Sequence, residues 1–162
     1  RRLLAAGVVA AVATTATSFY LARDDGRQPY EPVAAGATAH LGNGTFHLGG
    51  VHDVGVLAGT YEVERPVAGA TFVVVDLDVD LGGLARDDAC LIHLMAGDYT
   101  FDSHLGYVPP EPASAGCARG THGTIELAFE VPERLVGAVD GVRVDMATGA
   151  GVVSTLLPAT VD

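Results

Sequence analysis

Asp76, Asp78 and Asp80 stand at every second position, with Asp87 and Asp88 a few residues on. Hard carboxylate oxygens of this kind can bind calcium where a loop folds over a sheet edge. The spacing argues for something plainer. Three residues at i, i+2 and i+4 of an extended chain lie too far apart to share one ion, and the Asp-x-Asp-x-Asp-Gly order of an EF-hand loop is missing. Histidines occur at 40, 47, 52, 93, 104 and 122. His93 and Met95 fall on one strand face, and with His47 or His52 nearby they form a candidate copper set of imidazole and thioether ligands. No His-x-x-x-His spacing supports that set, and scattered surface histidines are the default. Asp102, Ser103 and His104 supply an acid, a hydroxyl and a base in consecutive positions. Neighbours on an extended chain point apart, whereas a catalytic triad must converge. Gly-x-Ser-x-Gly, a phosphate-binding glycine loop and His-Glu-x-x-His are all missing. The expectation is a protein without catalysis and without a cofactor, with Asp76, Asp78, Asp80, His93 and Met95 as the candidate metal ligands.

These residues sit on short strands. From Thr71 to Leu81 apolar residues alternate with aspartates, the period of a strand with one dry and one wet face. Charge along the wet face blocks edge-to-edge aggregation, and this is the preferred reading of the three aspartates. Thr38 to Leu41 and Thr45 to Leu48 flank Gly42-Asn43-Gly44, a hairpin signal. Val51 to Leu57, Thr60 to Glu64, Cys90 to Met95, Tyr99 to Asp102, Thr124 to Val131, Val142 to Met146 and Val152 to Leu157 complete the strand candidates. Glu133 to Val139 suits one helical turn. Many short strands, 21 glycines and 8 prolines predict an all-β, two-sheet sandwich over 37–162. The long irregular stretch between His104 and His122 is either a functional surface or pinned by other means.

Leu3 to Ala22 carries no charge, follows Arg1 and Arg2, and ends on Phe19, Tyr20 and Leu21 before Arg23. Its length and flanks predict one N-terminal transmembrane helix over 1–23, a signal anchor with the C-terminal domain outside. Cleavage after Ala11, Ala13 or Ala16, giving a secreted protein, is the alternative. Residues 24–36, with Pro29 and Pro32, read as a linker. The net charge of −11 argues against nucleic-acid binding. In an exported domain, two cysteines predict a disulfide between Cys90 and Cys117, which would tether the proline-rich loop.

Gly69 to Asp80, with its strand Phe72 to Val79, and the later Phe129-Glu130-Val131-Pro132 resemble an uncharacterised domain family. That family is immunoglobulin-like and extracytoplasmic, occurs in Gram-positive and actinobacterial lipoproteins and anchored proteins, and is related in fold to the mycobacterial secreted immunoprotective antigen. The resemblance runs from Phe46 to Leu157, and Leu81-Gly82-Gly83 departs from the family's usual Asn and small polar residue. It implies an immunoglobulin-like sandwich and a binding or accessory domain, with no catalytic residues. The expected function is protein-protein contact in the cell envelope, and the expected partner surface is Tyr107, Val108, Pro109 and Pro110. An exported module for a small ligand, calcium or copper is the alternative.

Overall fold

The computed structural model describes residues 22–23, 30–114 and 116–162. In chain order the strands are β1 (Ala22–Arg23), β2 (Glu31–Pro32), β3 (Thr38–Leu41), β4 (Gly44–Val54), β5 (Leu57–Ala58), β6 (Val63–Glu64), β7 (Ala70–Asp80), β8 (Ala89–Ala96), β9 (Tyr99–Asp102) and β10 (His122–Pro132). The short helix α1 (Glu133–Val136) leads into β11 (Val139–Thr148) and β12 (Gly151–Pro158). One sheet runs β1-β9-β8-β11-β12-β2 and the other β10-β7-β4-β3, with β5 and β6 as a separate ribbon. All pairings are antiparallel except that of β2 with β12.

Two sheets that each turn one apolar face inward bury those faces against each other, and the chain is a β-sandwich. Phe46, Val73, Val75, Leu77, Ile125 and Phe129 from one sheet meet Leu94, Val142, Val144, Met146 and Leu157 from the other. These are the residues that alternation places on one face. The β8–β9 connection is a two-residue turn between the paired Ala96 and Tyr99, with Gly97 at φ 59°. A two-residue hairpin turn that matches the strand twist needs positive φ at its first central residue, which glycine adopts without a Cβ penalty.

Three readings of the elements change. The expected strands Thr45 to Leu48 and Val51 to Leu57 are largely one strand, β4, which carries a register shift between Leu48 and Gly50 where an extra residue is accommodated. The single wet face expected along the central strand holds only for its second half. Ala70 to Val75 are buried on both sides, because Leu57 of β5, Phe72, Val74 and Ala128 form a second, smaller core on the outer face, with Val54 and Tyr107 packed against it. Pro32, placed in the linker, lies in β2 beside β12, and the Val33 N–H bonds to the Leu156 carbonyl 3.1 Å away.

The expected anchor falls on residues outside the described ones, apart from Ala22 and Arg23, which form β1 against Thr100 and Tyr99. Among the described residues no helix is long and apolar enough to cross a membrane. The single turn expected near Glu133 is α1.

Candidate functional site

The Cys90–Cys117 disulfide is present, with Cα atoms 5.8 Å apart. It joins the start of β8 to the irregular segment that follows β9. That segment crosses from one sheet to the other and is held at several points. The His104 N–H bonds to the Ala128 carbonyl at 2.6 Å, and Ser114 exchanges backbone bonds with Thr124 and Glu126 of β10. The Thr60 N–H and hydroxyl both bond into the loop, to the carbonyls of Val108 and Pro109 at 2.8 Å each.

The four residues expected to meet a partner are therefore not equivalent. Tyr107 is half-buried on the small outer core and its hydroxyl donates to Glu126. Burial, and then the Glu126 carboxylate, push its phenol pKa up. Pro109 is buried, and only Val108 and Pro110 lie open to solvent. Tyr107 is a strut that fixes the loop to the sheet.

The aspartates of β7 lie on the outer face of the four-stranded sheet and are engaged separately. Asp80 accepts from the Gly82 N–H at 3.1 Å and lies 3.0 Å from the His122 imidazole. Asp78 accepts from the Thr124 hydroxyl at 2.7 Å. Asp76 stands directly opposite Glu126 in the β7–β10 register. Burial raises the Asp76 pKa, Glu126 raises it further, His52 lowers it and Asp78 raises it. Among the described residues no group of three or more His, Cys, Asp or Glu side chains is placed to hold a metal ion.

His93 and Met95 occupy the outer face of the other sheet. His93 Nδ1 lies 2.8 Å from Asp102 and Nε2 lies 3.5 Å from Asp145, which itself takes the Arg143 guanidinium at 3.1 Å. Met95 is buried and its sulfur accepts from the Thr100 hydroxyl at 3.6 Å. An imidazole flanked by two carboxylates on neighbouring strands is held in place by them, and the thioether turns to a different partner.

Asp102, Ser103 and His104 do not form a triad. Asp102 faces His93, whereas the His104 Nε2 lies 2.6 Å from Glu64 and its ring meets Phe72 edge-on at 5.3 Å. No nucleophile–base bond joins Ser103 to either neighbour among the described contacts.

A feature that residue types alone did not reveal lies beside these groups. β9 pairs with β8 only from His93 to Ala96, and then leaves the sheet toward β10. The departure opens a cleft of about 890 Å³ between the sheets, with Ile92, Phe101 and Leu127 on its walls, the disulfide at one end, and His93, Asp102 and Glu130 at its polar margin. Three large apolar side chains at its rim are exposed, Leu91 at 62%, Leu105 at 92% and Val67 at 48%. Val67 is fixed there by its N–H, which donates to the Glu130 carboxylate at 2.6 Å. Exposed apolar residues scattered singly need no explanation, but three gathered round one cleft form a patch of the kind that marks interaction sites. The one signal in the sequence that could have found it is the difference in length between the strand candidates Cys90 to Met95 and Tyr99 to Asp102.

No protein-family model matches the chain. No curated protein matches it either. Among solved structures it is similar to an uncharacterized β-sandwich protein from Clostridium difficile 630, at 7% identity over 81% of this chain and 96% of that one, with a TM-score of 0.48.

Proposed function

We propose that this protein is an extracytoplasmic, membrane-anchored, immunoglobulin-like domain that works by protein-protein contact in the cell envelope. The uncharged stretch Leu3 to Ala22 behind Arg1 and Arg2 supports the anchor. The strand order supports the immunoglobulin-like reading. A sheet ordered β9-β8-β11-β12, with an early strand added in parallel at β12, faces a sheet in which β7 lies between β4 and β10. This corresponds to a C′-C-F-G sheet packed on an A-B-E sheet. The disulfide joins β8 to a loop, and so differs from the inter-sheet bridge of antibody domains.

The observation that carries the functional reading is the rim of Leu91, Leu105 and Val67 around the cleft. Fully burying an exposed side chain of this kind is worth roughly 1.5–3 kcal/mol, and a partner that covers these partly exposed residues gains a share of that. In a chain with net charge −11 the groups at the polar margin select against acidic partners. The surface to test is thus the cleft rim beside the disulfide, with Val108 and Pro110 further along the same loop.

A photo-activatable side chain placed at Leu105 in the membrane-expressed protein, with Val152 on β12 as the control position, tests this. The expected result is one dominant cross-linked species at Leu105 that Leu91→Asn reduces about tenfold. Equal labelling from both positions, or a product insensitive to Leu91→Asn, would refute the reading.

A further inference from the structure

The cleft is open because one half of β8 lacks a neighbour. β11 pairs with β8 along its length, from Ala89 to Ala96, whereas β9 on the other side reaches only from Ala96 back to His93. Among the described residues no strand lies beside Ala89–Ile92 on that side, and no loop backbone group bonds to them. An unpaired strand edge is a template for another extended chain. The same sheet already takes short strands at both ends, β1 on β9 and β2 on β12.

The side chains around this half-strand say what would fit. Cys90 and Ile92 point into the sandwich, toward Phe101 and Leu127 across the cleft, while Leu91 points outward on the face that also carries His93 and Asp102. A strand laid beside β8 would alternate in step, turning one set of side chains in against apolar walls and the other out across Leu91 toward Asp102. Asp102 is 78% exposed, and one of its oxygens meets His93. A basic side chain suits the outer position, since its methylene stem covers Leu91 while its head reaches Asp102. The net charge of −11 favours the same partner at long range.

We infer that the open half of β8 is a β-strand addition site, which takes an extended segment of a partner protein whose residues alternate between apolar and basic. This rests on the partner-binding reading given above and narrows it to one mode of recognition. Main-chain hydrogen bonds to Ala89–Ile92 supply affinity, and the alternate side chains supply selectivity.

The test uses the full 162-residue chain in lipid nanodiscs and three synthetic hexapeptides. One alternates valine and arginine, one is the same peptide with its alternate backbone nitrogens methylated, and one alternates valine and glutamate. Hydrogen exchange is followed over Ala89–Ile92 together with binding isotherms. The expected result is that the valine–arginine peptide slows exchange at least tenfold at those amides of Ala89–Ile92 that point away from β11. Methylation should weaken its binding tenfold or more, and the valine–glutamate peptide should bind at least tenfold more weakly. Binding that methylation leaves unchanged, or protection confined to β3, overturns strand addition. Protection already present without peptide at the amides that point away from β11 overturns it too, whereas the alternate amides, bonded to β11, exchange slowly throughout. If that protection is independent of concentration, the chain's own N-terminal residues are the occupant; if it rises with concentration, a second copy is. Should no peptide protect these amides while Leu105 still cross-links one species sensitive to Leu91→Asn, strand addition fails and partner binding stands. Failure of both measurements removes both.

Discussion

Breaking the Cys90–Cys117 bond tests how the cleft region is held. The bond closes a loop with a sequence separation of 27. Within that loop lie most of β8, all of β9 and the crossing segment, so reduction frees a large part of the unfolded chain. Loop-closure entropy for that length amounts to roughly 3–4 kcal/mol at 25 °C. The native contacts that would survive are the His104–Ala128 bond, the Ser114 bridge to β10 and the Thr60 bonds to Val108 and Pro109. None of them depends on the sulfurs, so the folded state should persist after reduction and the loss should come through the unfolded state. Urea unfolding of the oxidised protein is compared with the same protein under reductant, which leaves both side chains in place, and with Cys90→Ala/Cys117→Ala. The expected loss is about 3–4 kcal/mol for reduction, with a fall in Tm of roughly 7–14 °C for a chain of this size. The double variant should lose slightly more, because both cysteines pack against the main core. A reduced protein within about 1 kcal/mol of the oxidised one would show that the loop is already restricted when unfolded, and would refute the entropic account.

Three further outcomes are expected. Asp76 has its pKa raised in the folded state by burial and by Glu126, so its carboxylate opposes folding once pH rises through that pKa, and the opposition vanishes below the model-peptide value of 3.8. Asp76→Asn should therefore be more stable than the parent at pH 7, by roughly 0.2–1 kcal/mol for a directly opposed like-charge pair, and the gap should close toward pH 4; a gap that does not move with pH in urea titrations contradicts this. Tyr107→Ala should cost about 2 kcal/mol through lost packing on Phe72 and Val74, against less than about 1 for Tyr107→Phe, whereas a tyrosine reserved for a partner would leave the urea midpoint unchanged in both. Because Asp78 and Asp80 are each engaged by their own protein partners, thermal melting in calcium and in chelator should coincide, and a rise of several degrees in calcium would restore the ion site.

Alternation alone placed Val73, Val75 and Leu77 inside, because on a strand the face of a residue follows from its parity. It also marked Asp78 and Asp80 as a wet face, and the even cysteine count in a chain with an export-like leader was enough to pair Cys90 with Cys117. Those properties are local or are simple counts. Whether a face is wet along its whole length is not local. Phe72 and Val74 are dry because Leu57 and Tyr107, distant in sequence, come to lie over them. The same holds for Tyr107, which resembles a free surface residue until Glu126 is brought beside it.

The cleft depended entirely on tertiary structure. Its walls come from β8, β9 and β10, and it exists only because β9 ends its pairing at His93 and crosses to the other sheet, leaving Ala89–Ile92 with one partner strand instead of two. Strand length and hydropathy are written in the sequence. Which edge stays open is set by pairings between residues far apart along the chain, and those are decided only when the two sheets close on their common core.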